Sequence, residues 1–180
     1  TRLLFVVGEF FQRFGGGLTA LQRGHFRRLL AAIDVLGGAD SLHGERLGPE
    51  SVAEAWIIDV AGEMPHDLRT AAGLWLPRVF VDTEGEPPNL TWLHDLANSV
   101  AHAVHGLEHE SASAWPHPPV PPARIYVMCQ HGMNRSGLVT GLILRAIGVN
   151  VEDALASIAS RPGALNNQTY VRLLRSFEPP

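Results

Sequence analysis

The reading of this chain turns on Arg124–Gly148, RIYVMCQHGMNRSGLVTGLILRAIG. It opens with an apolar run, Ile125-Tyr126-Val127-Met128, that predicts a short buried strand. It closes with Leu138, Leu142, Ile143 and Ile147 at helical spacing, ended by Gly148. Between the two sits Cys129, the only cysteine in the chain, with Arg135 six residues later and Ser136 next. The pattern is Cys-x5-Arg-Ser on a strand–loop–helix turn. Arg and Ser/Thr at those offsets would follow a given cysteine by chance roughly once in a hundred. The flanking strand and helix therefore decide against an inert buried cysteine.

A loop running into a helix N-terminus gathers backbone N–H groups into one concavity, and the helix dipole adds positive potential there. Such a nest holds a tetrahedral oxyanion. Its residues here are Gln130, His131, Gly132, Met133, Asn134 and Arg135. Gly132 supplies backbone freedom, and Arg135 offers a planar fork to two oxygens. Cys129 starts the loop, placing its sulfur beneath the central atom. A helix N-terminus and a guanidinium favour thiolate over thiol in general. Ser136 is placed to hydrogen-bond that sulfur.

These residues resemble the cysteine-dependent protein phosphatases, specifically the small dual-specificity branch. That family's loop reads His-Cys-x5-Arg-Ser/Thr. Cys129, Arg135 and Ser136 match it, and Met128 stands in place of the histidine, which bears on how the cysteine's backbone is buttressed. The resemblance spans roughly 41–177 and implies an α/β fold with a central, mostly parallel sheet flanked by helices. It also implies a general acid on a loop between a strand and a helix. Arg78-Val79-Phe80-Val81 reads as such a strand, and Asp82 follows it, 47 residues before Cys129. Asp82 is the acid by position. Glu84 is the alternative, because it directly precedes Gly85-Glu86-Pro87-Pro88. An acid is needed because an alkoxide or phenoxide leaves slowly unless protonated. The family also carries an asparagine with an aromatic three residues on, which Asn167 and Tyr170 fit, and Gln168 is a candidate for orienting the hydrolytic water.

The remaining chain is read from its own patterns. Leu3–Val7 is an apolar run, and Gly15-Gly16-Gly17 is a loop without the spacing of a nucleotide fingerprint. Thr19 and Gln22 suit a capping box, after which Phe26, Leu29, Leu30, Ile33 and Leu36 keep helical spacing to Gly37-Gly38. Ala55–Val60 has the composition of a central strand, and Asp59 near its end reads as a turn or cap residue. Leu90, Leu93, Ala97, Val100, Val104 and Leu107 predict a helix over 90–110. His102, His105 and His109 recur on another of its faces. No cysteine or third ligand in a recognised motif joins them, so they read as a solvated face rather than a metal site. Ser111–Ala123 is a stiff proline-rich connection. Asn150 caps a helix carrying Val151, Ala154, Leu155 and Ile158, and Asn166-Asn167-Gln168 opens a last one with Tyr170, Val171, Leu174 and Phe177.

A chain of 180 residues suits one domain, with 41–177 as the phosphatase-like core and 1–40 as an N-terminal extension. The net charge of −4 gives no support for nucleic-acid binding. No apolar run reaches transmembrane length and no secretory signal pattern is visible. The sequence begins at Thr1, so an initiator methionine or leading segment is expected ahead of it. One cysteine fits a reducing, cytoplasmic setting. The expected function is hydrolysis of phosphotyrosine, and also phosphoserine or phosphothreonine, on a phosphoprotein, with no metal or organic cofactor. The alternatives are a non-catalytic phosphate-binding module on the same scaffold, a phosphatase of a non-protein phosphomonoester, and another cysteine enzyme such as a sulfur transferase. Oligomeric state is not set by these patterns.

Overall fold

The computed structural model describes residues 33–38, 52–53, 55–62, 64, 66–105, 124–159 and 163–179. Among them are four strands, β1 (Ile33–Gly38), β2 (Ala55–Asp59), β3 (Leu74–Pro77) and β4 (Arg124–Cys129). Five helices accompany them: α1 (His66–Ala71), α2 (Leu90–His105), α3 (Asn134–Ala146), α4 (Val151–Ala159) and α5 (Gln168–Ser176). The strands form one sheet in the order β1-β4-β2-β3, with every pairing parallel. This is the α/β architecture expected from the sequence.

The two inner strands explain their own composition. In a parallel sheet covered on both faces, a central strand buries both rows of side chains and reads as an unbroken apolar run. Ile125 to Cys129 are all buried, as are Ala55 to Asp59. The rows separate by the strand period of two. Ile125, Val127 and Cys129 join Trp56, Ile58 and Val60 in the larger core, beneath α2, α3, α4 and α5. Tyr126 and Met128 join Ala55, Ile57, Met64 and Leu68 in a smaller core on the other face. Met128, in place of the family's histidine, is thus an apolar packing residue, 2% exposed. Its carbonyl accepts the Val60 N–H at 2.9 Å, so the backbone beside Cys129 is held by the sheet.

Helix α3 is the centre of the larger core. Residues Ser136 to Leu144 are buried without interruption, as expected of a helix covered all round. Two glycines admit its neighbours. A Cβ at Gly141 would lie 2.5 Å from Leu174 Cδ1, and one at Gly137 would lie 3.3 Å from Leu165 Cβ. Helix α5 therefore packs at glycine distance, with Tyr170 and Leu174 wholly buried.

Two sequence expectations are corrected here. The spacing of Ile33 and Leu36 predicts a helix, but Ile33–Gly38 is strand β1, at the edge of the described sheet, with Gly38 opposite Cys129. Ile33 and Val35 also satisfy a period of two, and pairing with β4 satisfies backbone groups that a short helix end would leave open. The rest of that expected helix lies outside the described residues, as do Leu3–Val7, 39–51 and the proline-rich connection. The second correction concerns Arg78–Val81, which is not the strand; β3 is Leu74–Pro77. Its partner strand among the described residues, β2, ends at Asp59. Beyond Pro77 the chain keeps two backbone bonds, Arg78 N–H to Asp59 O at 2.7 Å and Phe80 N–H to Val60 O at 3.3 Å. Asp59 has the turn role expected of it. Buried, its carboxylate accepts the N–H groups of Ala61 (3.2 Å), Gly62 (2.7 Å) and Met64 (3.3 Å). The helix expected over 90–110 is described as far as His105.

Candidate active site

Strand β4 delivers Cys129 at its C-terminal end, where parallel α/β sheets place their ligand crevices. Residues 130–133 cross to α3, whose first turn carries Asn134, Arg135 and Ser136. The loop turns at Gly132, where φ is +64°, a left-handed conformation that disfavours side chains. Gln130 and His131 are exposed, Gly132 is buried, and Met133, Asn134 and Arg135 are half-buried. No acid stands in the first turn of α3 and no side chain caps it. Its leading N–H groups thus have no side-chain acceptor.

Ser136 is wholly buried, and its Oγ lies 3.2 Å from Cys129 Sγ. Cys129 is itself only 3% exposed. The thiol therefore sits at the floor of the loop. Arg135 reaches from α3 to the segment leading to Asp82. Its Nη1 donates to Phe80 O at 3.0 Å and, at 3.4 Å, to Val60 O. Its Nε is buried with no hydrogen-bond partner. A buried guanidinium donor left over at the rim of an amide nest suits an anion.

Asp82 and Glu84 both lie in the extended stretch between β3 and α2, and both are exposed. Phe80 anchors that stretch in the larger core, and Arg78 lies over the Trp92 ring at 5.1 Å. The N-terminus of α5 supplies the other ties. Asn167 Nδ2 donates to Thr83 O at 2.7 Å and Thr169 Oγ1 donates to Glu84 O at 2.8 Å. The Asn167 side-chain oxygen caps α5, accepting the N–H groups of Thr169 (2.9 Å) and Tyr170 (3.4 Å). Its backbone N–H donates to Asn134 Oδ1 at 3.1 Å. One asparagine thus joins α5, the Thr83 backbone and the first residue of α3.

Tyr170 lies under this junction. Burial pushes its phenol above the ordinary range, the Asp82 carboxylate and Cys129 push the same way, and the Thr83 backbone and Arg135 oppose. Asp82, Arg135 and Cys129 thus all act on one buried oxygen. The Thr83 backbone acts on that oxygen as a weak donor, and no acceptor meets its O–H in hydrogen-bonding geometry.

No family model matches the sequence, and no curated protein matches it. Solved structures do. Human DUSP28 is 16% identical with a TM-score of 0.52, over 82% of this chain and 92% of that one. A mouse putative dual specificity phosphatase, solved with zinc tungstate, is 20% identical with a TM-score of 0.56, over 79% of this chain and 78% of that one. DUSP15 is 18% identical with a TM-score of 0.55, over 82% and 83%. The chain has the dual-specificity phosphatase fold.

Within this dual-specificity phosphatase fold, the sequence-predicted residues Cys129, Arg135 and Ser136 come together at one sheet end. Arg135 ties to them the segment that carries Asp82, through Phe80 O two residues before it. Gln168 is exposed at the first position of α5. Among the described residues no three His, Cys, Asp or Glu gather as metal ligands, and no helix is long and apolar enough to cross a membrane. His105 and His109 have no described side chains. Sequence reasoning missed Thr169 and the Tyr170 hydroxyl. The Asn-x-Thr-Tyr run at a helix start signals a cap, but nothing local signals that it also holds a loop more than eighty residues away.

Proposed function

We propose that this chain is a cysteine-dependent protein phosphatase acting on phosphotyrosine, with phosphoserine and phosphothreonine as further substrates. The observation that carries the reading is the 3.2 Å approach of Cys129 Sγ to Ser136 Oγ beneath the uncapped start of α3. The Cys129 thiolate attacks phosphorus, and the bond from phosphorus to the leaving oxygen breaks. Arg135 and the amides of 130–135 hold the equatorial oxygens as charge shifts onto them. Asp82 gives its proton to the leaving oxygen. Water then attacks the cysteinyl-phosphate with Asp82 as base, the sulfur–phosphorus bond breaks, and Ser136 donates to the departing thiolate.

Two further points support an oxyanion at this loop. Arg135 keeps an unpartnered Nε beside it. The mouse protein of the same fold was solved with zinc tungstate, and tungstate is a tetrahedral oxyanion. Besides Arg135 the loop carries no lysine or arginine, which suits a singly phosphorylated side chain better than a highly charged lipid or RNA end. The need to keep Cys129 reduced suits a cytoplasmic setting. Steady-state hydrolysis of an aryl phosphate, with and without Cys129→Ser, tests the reading. Turnover lost in the variant is expected. Phosphate binding without turnover in the unmodified chain would make it a phosphate-binding module instead.

A further inference from the structure

Buried polar atoms nearly always have a partner, and one without asks for an explanation. Two such donors among the described residues belong to the candidate active site, Arg135 Nε and Tyr170 Oη. The first is accounted for by the anion. The second is not used by any step above. Tyr170 is 0% exposed, so bulk solvent does not reach it. Its ring is held in the larger core, on a helix capped by Asn167. The backbone of Thr83, next to Asp82, is tied to that same cap at 2.7 Å. The hydroxyl therefore lies beside the Thr83 backbone, and its O–H has no acceptor in hydrogen-bonding geometry.

We infer that Tyr170 is a positioning residue for the general acid: in the loaded site its hydroxyl donates a hydrogen bond to the Asp82 side chain. This rests on the function proposed above. Asp82 is exposed, and among the described residues none holds its side chain by a hydrogen bond. When it protonates the leaving oxygen it becomes a carboxylate, and one of its oxygens then accepts the Tyr170 O–H. The other oxygen stays aimed at the substrate, ready to take a proton from water. Arg135 and Cys129, the other groups acting on Tyr170, have their own work in the phosphoryl transfer. A donor to phosphate is the competing use of the same hydroxyl, and the test separates the two.

Tyr170→Phe keeps the ring and removes only the oxygen. Deleting an unpartnered buried hydroxyl should leave the melting temperature unchanged or raise it, whereas a structural tyrosine would lower it. Vanadate affinity should stay the same. With phenyl phosphate, whose leaving group needs protonation, kcat/KM should fall about tenfold, the size of one hydrogen bond to a charged group. With a strongly acidic phenol the loss should be smaller. In an Asp82→Asn background, Tyr170→Phe should cost nothing further, because the hydroxyl acts through that carboxyl. An equal loss in both backgrounds, weakened vanadate binding, or full activity on phenyl phosphate would each overturn the inference. Full activity in Tyr170→Phe would leave the proposed function standing. An unmodified chain that hydrolyses neither ester would remove that function and this inference together.

Discussion

The two halves of the candidate site are built in opposite ways. The half carrying Cys129 belongs to the sheet and the central helix. Cys129 is 3% exposed, Ser136 wholly buried, and the backbone between them ends in the ladder on one side and α3 on the other. The half carrying Asp82 is an extended surface segment. Val79 and Val81 are 57% and 68% exposed, and only Phe80 between them enters the core. Two side chains at the start of α5 fasten its far end. A nucleophile held by the core loses function only if it is itself changed. An acid held by a few polar contacts should lose function piecemeal, as those contacts are cut.

The sharpest way to break this contrast is Cys129→Ser. Turnover of any aryl phosphate should fall by 10⁴-fold or more, on the order of losses seen when a nucleophile is deleted. Calorimetry should still detect phosphate binding, because the amides and Arg135 remain. Next, Arg135→Lys should lose roughly 10²–10³-fold in kcat/KM, since an ammonium cannot make the two-pronged contact. Asp82→Asn should cost roughly 10²-fold on a phenol of ordinary acidity and less on a strongly acidic one. Glu84→Gln is its control. If Glu84→Gln shows that leaving-group dependence instead, the acid lies two residues further on.

Smaller effects test the fastening itself. Asn167→Ala removes the α5 cap and the Thr83 tie, leaving the backbone contact to Asn134. Stability should drop by about 1 kcal/mol, and kcat/KM on a poor leaving group by roughly fivefold, the size of the one hydrogen bond lost to the acid segment. Vanadate affinity should hardly change; a matching loss of vanadate binding would mean the two halves are not separately held. The smallest effect concerns the far end of α5. His94 packs on Phe177 with ring centroids 4.6 Å apart. Burial lowers its pKa, with Asp95 opposing. The unfolded chain therefore binds the His94 proton more readily. Its contribution is intact above the ordinary histidine value of about 6.5 and is lost as pH falls from there through the folded value. Melting temperature should decline more between pH 7.5 and 5.5, as chosen assay limits of roughly one unit either side, than in His94→Gln. Parallel curves would show that His94 is not the group responsible.

The buried half was the legible one. An apolar run from Ile125, a cysteine, and Gly132 before Arg135 encode strand, turn and helix within one short stretch, and each feature is local. The caps at Asn150 and Asn167 were legible for the same reason, and both side chains accept from N–H groups just ahead. The exposed half was legible only as a place. Arg78–Val81 has strand composition, but whether it pairs depends on where β2 ends, which is decided elsewhere. Ile33 fits a helical spacing with Leu36 and a strand spacing with Val35, and the pairing with β4 resolves it. The Tyr170 hydroxyl is the extreme case. Its sequence context marks a buried aromatic, and its significance comes from groups brought to it by three separate segments.

The hydrogen bond from Arg135 to Phe80 O has a thermodynamic corollary. The guanidinium proposed to grip the anion already grips the backbone two residues before the proposed acid. Any change in anion affinity caused by moving that backbone must be matched, factor for factor, by a change in the backbone's preference when the anion binds. Occupancy of one half of the site and placement of the other are then a single coupled equilibrium. A ligand or partner that clasps residues 78–84 would therefore tune the site by linkage, strengthening or weakening anion binding without touching Cys129.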